Sequence, residues 1–151
     1  MSTKNSSFME TVNQLETTLE PYFTEKAPFQ IPKDIKELLV KIAPILVIIF
    51  VILAIPAVLA LFGISALFSP IIVGVASPFW YISTILLAVA VVLEGLAIPG
   101  LLNRTMPGWR YVFYAQLVSL VSTLLQGNIV GAILSALIGF YILFQVKEMY
   151  T

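Results

Sequence analysis

Residues 42–93 read IAPILVIIFVILAIPAVLALFGISALFSPIIVGVASPFWYISTILLAVAVVL, 52 positions without one charged side chain. A second uncharged run, YVFYAQLVSLVSTLLQGNIVGAILSALIGFYILFQV, fills residues 111–146. About 20 helical residues cross the hydrocarbon core of a bilayer, so each run is too long for one crossing and long enough for a helical hairpin. Neither run alternates polar and apolar positions as the strands of a membrane barrel must. The expected fold is therefore an all-α integral membrane protein, a four-transmembrane-helix bundle of two helical hairpins.

Punctuating residues divide the runs. The first span is expected over about 42–62, with Pro44 near its entry and Pro56 inside, where a missing backbone donor should kink it. Gly63 to Pro78 carries Ser69-Pro70 and Ser77-Pro78, so residues 64–76 are expected as a short interfacial helix or a re-entrant loop. Phe79-Trp80-Tyr81 opens the second span, about 79–98, as an aromatic anchor, and Pro99-Gly100 should end it. The third and fourth spans, about 109–126 and 129–146, are joined by a tight turn at Gln126-Gly127-Asn128.

The chain ahead of the spans is of another kind. Residues 1–32 form a tail in which Ser7 to Glu20 reads as a short cytoplasmic amphipathic helix. It opens with the capping pattern Ser7-x-x-Glu10, carries a stripe of Phe8, Val12, Leu15 and Leu19, and is stopped by Pro21. Its Glu10, Glu16 and Glu20 are repelled by an anionic leaflet, so the stripe is expected to contact protein. A linker holding Pro21, Pro28 and Pro32 leads to the membrane domain, 33–151, which begins with an interfacial helix over 33–41 supported by Lys33/Glu37 and Glu37/Lys41 pairs. The apolar segment starts too late for a secretory signal, and the first span is expected to act as its own insertion signal.

The eight basic residues give the orientation. Lys4, Lys26, Lys33, Lys36 and Lys41 precede the first span, Arg104 and Arg110 lie between the second and third, and Lys147 follows the fourth. Basic residues are retained on the cytoplasmic side, which puts both termini there; a prokaryotic plasma (inner) membrane is the expected location.

The absence of cysteine and histidine removes disulfides, imidazole or thiolate metal sites, and Ser/His/Asp or Cys/His catalytic sets. There is no phosphate-binding glycine loop and no basic-aromatic patch for nucleic acid. No catalytic, cofactor or metal site is expected. What remains is Glu94, the one acidic residue inside an expected span, about 6 Å from its cytoplasmic end and within reach of Arg104 or Arg110. Gly127, Gly131, Ser135 and Gly139 recur every four residues and form a helix-packing face, whose expected partner is the ridge of Ala115, Ser119 and Thr123. Gln116, Ser119, Ser122, Thr123 and Gln126 make the third span the most polar. These features point to a small structural or accessory membrane protein, embedded in the lipid bilayer, that packs against other membrane subunits or forms a homo-oligomer. The alternative is a small homo-oligomeric transporter or channel in which Glu94 binds a proton or cation.

Overall fold

The computed structural model describes residues 2–67 and 78–151. Among them the chain is helical without strands: α1 (Ser2–Phe23), α2 (Lys33–Leu67), α3 (Pro78–Leu102), α4 (Met106–Leu125), α5 (Ile129–Gln145) and a closing 3-10 turn at Lys147–Met149. Among the described residues three stretches are long and apolar enough to cross a membrane, Lys33–Gly63, Tyr81–Leu102 and Ile129–Met149, which is compatible with a membrane location; the expected span over about 109–126, in α4, is not among them. The connection expected as interfacial or re-entrant lies mostly outside the described residues.

Helix α2 is longer than expected. The interfacial helix and the first span are one element of 35 residues, about 52 Å, with Pro44 and Pro56 inside it. Its start is set by Pro32, whose carbonyl accepts from the amides of Ile35 and Lys36 at 3.0 Å, and by Asp34 in the first turn near the positive end of the helix dipole.

Helix α3 begins on Pro78, where a missing amide costs nothing, and it does not stop at Pro99-Gly100. It continues to Leu102 with Pro99 inside it. The real stop is a paired cap, in which Arg104 donates to the Leu101 carbonyl (3.2 Å) and Thr105 to that of Gly100 (2.8 Å). That cap holds Arg104 at φ 52°, the left-handed region usually left to glycine. Helix α4 ends the same way, with Gly127 at φ 77° donating to Leu124 and Asn128 to Thr123. Asn128 at once caps α5, its Oδ1 accepting from the Gly131 amide at 2.9 Å.

The starts of α2 and α4 and the ends of α3 and α5 meet at one end of the bundle. There the chain's last residue is stitched to the α3/α4 turn, Met106 donating to the Thr151 carbonyl (2.9 Å) and Thr151 to that of Arg104 (3.0 Å). Beneath lies an aromatic core of Trp109 and Phe113 from α4 with Phe140 and Phe144 from α5. Trp109 stacks on Phe113 at 5.5 Å and meets Phe144 edge-on at 5.5 Å, the offset and T-shaped geometries that aromatic quadrupoles favour. The fully buried Trp109 places its indole N–H on the Leu143 carbonyl at 2.8 Å.

Helix α1 folds back over this end. Phe23 stacks on Phe144 at 5.9 Å, and this anchorage carries α1 through Pro21 to Phe23, beyond the expected stop at Glu20. Proline in the last turn withdraws only one helical bond. The chain beyond is tied down by Gln145, whose Nε2 donates to the Phe23 carbonyl (2.7 Å) and whose Oε1 accepts from the Ile31 amide (3.3 Å).

Candidate interaction site at the basic end

The expected α1 stripe of Phe8, Val12, Leu15 and Leu19 is only half used as a stripe. Val12 is buried and Leu19 packs on the core, but Phe8 and Leu15 are 67% and 42% exposed. The inward face instead runs Val12, Glu16, Leu19, Phe23, rotated by about one residue, and its partner is this chain's own bundle. The rotation brings the Glu16 carboxylate inside, 3.0 Å from Lys147 Nζ and 3.7 Å from Arg110 Nε, while Glu20 takes the same lysine at 2.6 Å. A buried carboxylate is costly unless cations meet it there. Hydrophobic spacing alone, without knowledge of Lys147 and Arg110 across the contact, favours Leu15 over Glu16.

Lys36 and Arg104 are also answered within the chain. Lys36 Nζ lies 2.8 Å from Glu148, and Arg104 Nη1 lies 3.2 Å from Glu37. Glu37 thus reaches across to the α3/α4 turn, where helical spacing alone suggested Lys33 and Lys41. Lys147 also sits over the Trp109 ring, 5.1 Å from its centre. Between these groups is a half-open polar cleft of about 460 Å³, walled by Glu25, Lys36, Lys147, Glu148 and Tyr150 among others.

Glu94 is not paired with either expected arginine, because Arg104 is taken by Glu37 and Arg110 by Glu16. Its Oε2 is buried and has no hydrogen-bond partner among the described residues. On α3 it follows Ala90 and precedes Ala97, the two smallest buried side chains of that face. The two arginines point to the acidic residues of α1 and α2, which sequence spacing within one connection does not reveal.

The four small residues of the α5 face divide among three jobs. Gly127 serves the positive φ of the turn, and Gly131 leaves room for its own helix cap, since a Cβ there would lie 2.5–2.7 Å from the Asn128 side chain. Only Ser135 and Gly139 meet another helix, and they meet Gln116. Its Nε2 donates to the Ser135 carbonyl and hydroxyl, both at 3.1 Å, and lies 2.6 Å from where a Gly139 Cβ would be. Gln116 is the α4 side chain that meets Ser135 and Gly139, while Thr123 bonds the Ser119 carbonyl of its own helix. Gly139→Leu is expected to displace Gln116 and cost about 1–3 kcal/mol, whereas Gly131→Leu disturbs a cap worth about 1 kcal/mol. Thermal unfolding in detergent should rank the two in that order.

Two helix backbones also meet tightly at Gly100 of α3 and Gly108 of α4. A Cβ on Gly100 would stand 2.6 Å from the Gly108 amide nitrogen, and one on Gly108 would stand 2.6 Å from Gly100 Cα. The signal was present as two glycines eight apart across a turn, but their separation in sequence is not the four-residue repeat of a packing ridge. Farther along the same pair of helices, Ser122 Oγ donates to the Ser83 carbonyl at 2.9 Å and receives from Gln126 Nε2 at 3.2 Å.

In comparisons with known proteins, no family model, no curated protein and no solved structure matches the chain.

Proposed function

We propose that the chain is a four-span integral membrane protein without catalytic activity of its own, an accessory subunit that packs against another membrane subunit or a second copy. Both termini lie on the cytoplasmic face of a prokaryotic plasma membrane, with α1 as a cap on that side. The observation that carries this is the contrast between the two kinds of surface. The ion pairs and span hydroxyls described above are answered inside the chain, while α2 leaves Ile45, Ile49, Phe50, Ile52, Leu53 and Leu59 exposed along its length. An apolar surface so extended marks a membrane or subunit contact.

Helix α4 is the least apolar of the four and crosses because α3 and α5 flank it and accept its polar groups. This supplies the inter-helix hydrogen bonds that lipid cannot. The outer face of α1, with Glu10, Asn13, Gln14 and Thr17 exposed, turns toward water.

Single cysteines at Asn13, Asn103 and Asn128 test the arrangement in this cysteine-free chain. An impermeant thiol reagent applied outside intact cells should label position 128 alone; labelling at 103 without 128 overturns the orientation.

A transporter is the second reading, favoured by the buried, unpartnered Oε2 of Glu94. An ionisable group in a span marks an ion or proton path when it lies in a cavity. Proteoliposomes loaded with a pH-sensitive dye decide: the accessory assignment expects no proton or cation flux in the wild type or in Glu94→Gln. Flux that vanishes in the variant establishes the transporter.

A further inference from the structure

A second cavity lies beside the polar cleft and differs from it in chemistry. It holds about 280 Å³ between α2, α4 and α5, with Val40, Ala43, Val47, Val112, Leu143 and Val146 in its wall. Leu46 on α2 and Ile142 on α5 line it too, and both are exposed, so the space opens sideways between those helices. An apolar cavity of ~150 Å³ stays dry and takes up benzene; nearly twice that volume accepts a good part of a hydrocarbon chain.

Tyr150 lines both this cavity and the polar cleft, so an apolar chamber and a charged one adjoin at one residue. The cleft's charges are mixed: Lys36 and Lys147 stand among Glu20, Glu25 and Glu148. An anionic head would find three carboxylates against two ammonium groups. A head carrying both signs can lie alongside the Lys36–Glu148 pair, 2.8 Å apart, with its phosphate beside the lysine and its ammonium beside Glu148 and the exposed Glu25.

We propose that this end of the bundle binds one zwitterionic phospholipid, an acyl chain lying between α2 and α5 and its phosphoethanolamine head in the cleft beyond Tyr150. The site rests on the membrane assignment above. The lipid does not merely wet the outer surface, because its head is held by side chains from the linker, α2 and the C-terminal turn together. Its binding ties α2 to α5 at the end where the chain's ion pairs gather.

The test uses the full chain reconstituted in vesicles of equal parts phosphatidylethanolamine and phosphatidylglycerol, extracted in mild detergent and weighed by native mass spectrometry. One phosphatidylethanolamine per chain is expected, preferred about tenfold or more over phosphatidylglycerol. Ala43→Phe and Val112→Phe each fill the apolar chamber and should remove the bound lipid while the protein remains monodisperse; two positions on different helices guard against one variant failing to fold. Glu148→Lys leaves the chamber intact and should turn the preference toward phosphatidylglycerol. Equal retention of the two lipids by the wild type overturns the proposal, as does retention unchanged by both filling variants. A change of oligomer mass in Ala43→Phe without loss of lipid also overturns it and assigns the cavity to a second copy. A wild-type chain that is recovered in the membrane fraction but retains no lipid ends the lipid site alone, whereas a chain absent from that fraction ends the membrane assignment with it.

Discussion

Gly108→Leu will separate α3 from α4 and leave little folded protein. The side chain would have to occupy space already filled by the backbone of Gly100 and Leu101, and a main chain cannot turn aside as the end of a long side chain does. Overpacking of a core ordinarily costs about 1–3 kcal/mol; here the obstacle is backbone, and the cost belongs at or above the top of that range. Even Gly100→Ala, one methyl group, should lower the unfolding temperature distinctly, for its Cβ is 2.9 Å from Thr105 Oγ1 as well as against Gly108. Gly95→Ala on the same helix is the control, because no atom lies within 4 Å of its Cβ position. Yield of monodisperse protein and thermal unfolding in detergent measure all three. Equal behaviour of Gly100→Ala and Gly95→Ala would show that the helices do not cross where the glycines put them.

Removing the Lys147 charge should release α1 while the bundle beneath stays folded. Lys147→Met preserves most of the packing over Trp109 and Phe144 but leaves Glu16, whose side chain is 8% exposed, with only the more distant Arg110. Breaking a buried pair from one side costs about 3–5 kcal/mol. The N-terminal half of α1 has little to set against that, because it is separated from α3 and α4 by a gap of about 230 Å³ under Phe8, Met9 and Val12. The chain is therefore expected to expose Glu16 to water by lifting the helix, and residues 2–23 become sensitive to protease and to amide exchange. Adding Glu16→Gln to Lys147→Met removes the stranded charge and should restore much of the protection. If α1 exchanges as slowly in Lys147→Met as in the wild type, the ion cluster does not hold it.

Composition and the length of the two uncharged runs were enough to make the chain helical and to expect membrane spans, although they pointed to four where three helices among the described residues are long and apolar enough to cross. Both follow from arithmetic on contiguous residues, 1.5 Å per residue against a core of about 30 Å. The turn at Gln126-Gly127-Asn128 was legible for a similar reason, since a left-handed glycine followed by a capping asparagine acts within a few residues.

Contacts between distant segments were not legible in this way. Whether Pro21 or Pro99 ends a helix depends on what lies beyond: Phe23 finds Phe144 in α5, and the residues after Pro99 find Gly108 in α4, so both helices continue. A glycine in the sequence does not announce whether it serves a turn, as Gly127 does, its own cap, as Gly131 does, or a facing helix, as Gly100, Gly108 and Gly139 do. The charges show the point most sharply. Their gathering at one end was readable from the placement of the lysines and arginines between apolar runs, but their partners were not, because a carboxylate chooses the nearest cation in space. Local spacing offered Arg104 and Arg110 to Glu94, and lysines four residues away to Glu37. Packing of α1 and α2 over the ends of α3, α4 and α5 instead gave Arg104 to Glu37 and Arg110 to Glu16, and left Glu94 Oε2 without a partner. Coulomb energy falls with distance through space, and only the tertiary fold sets that distance.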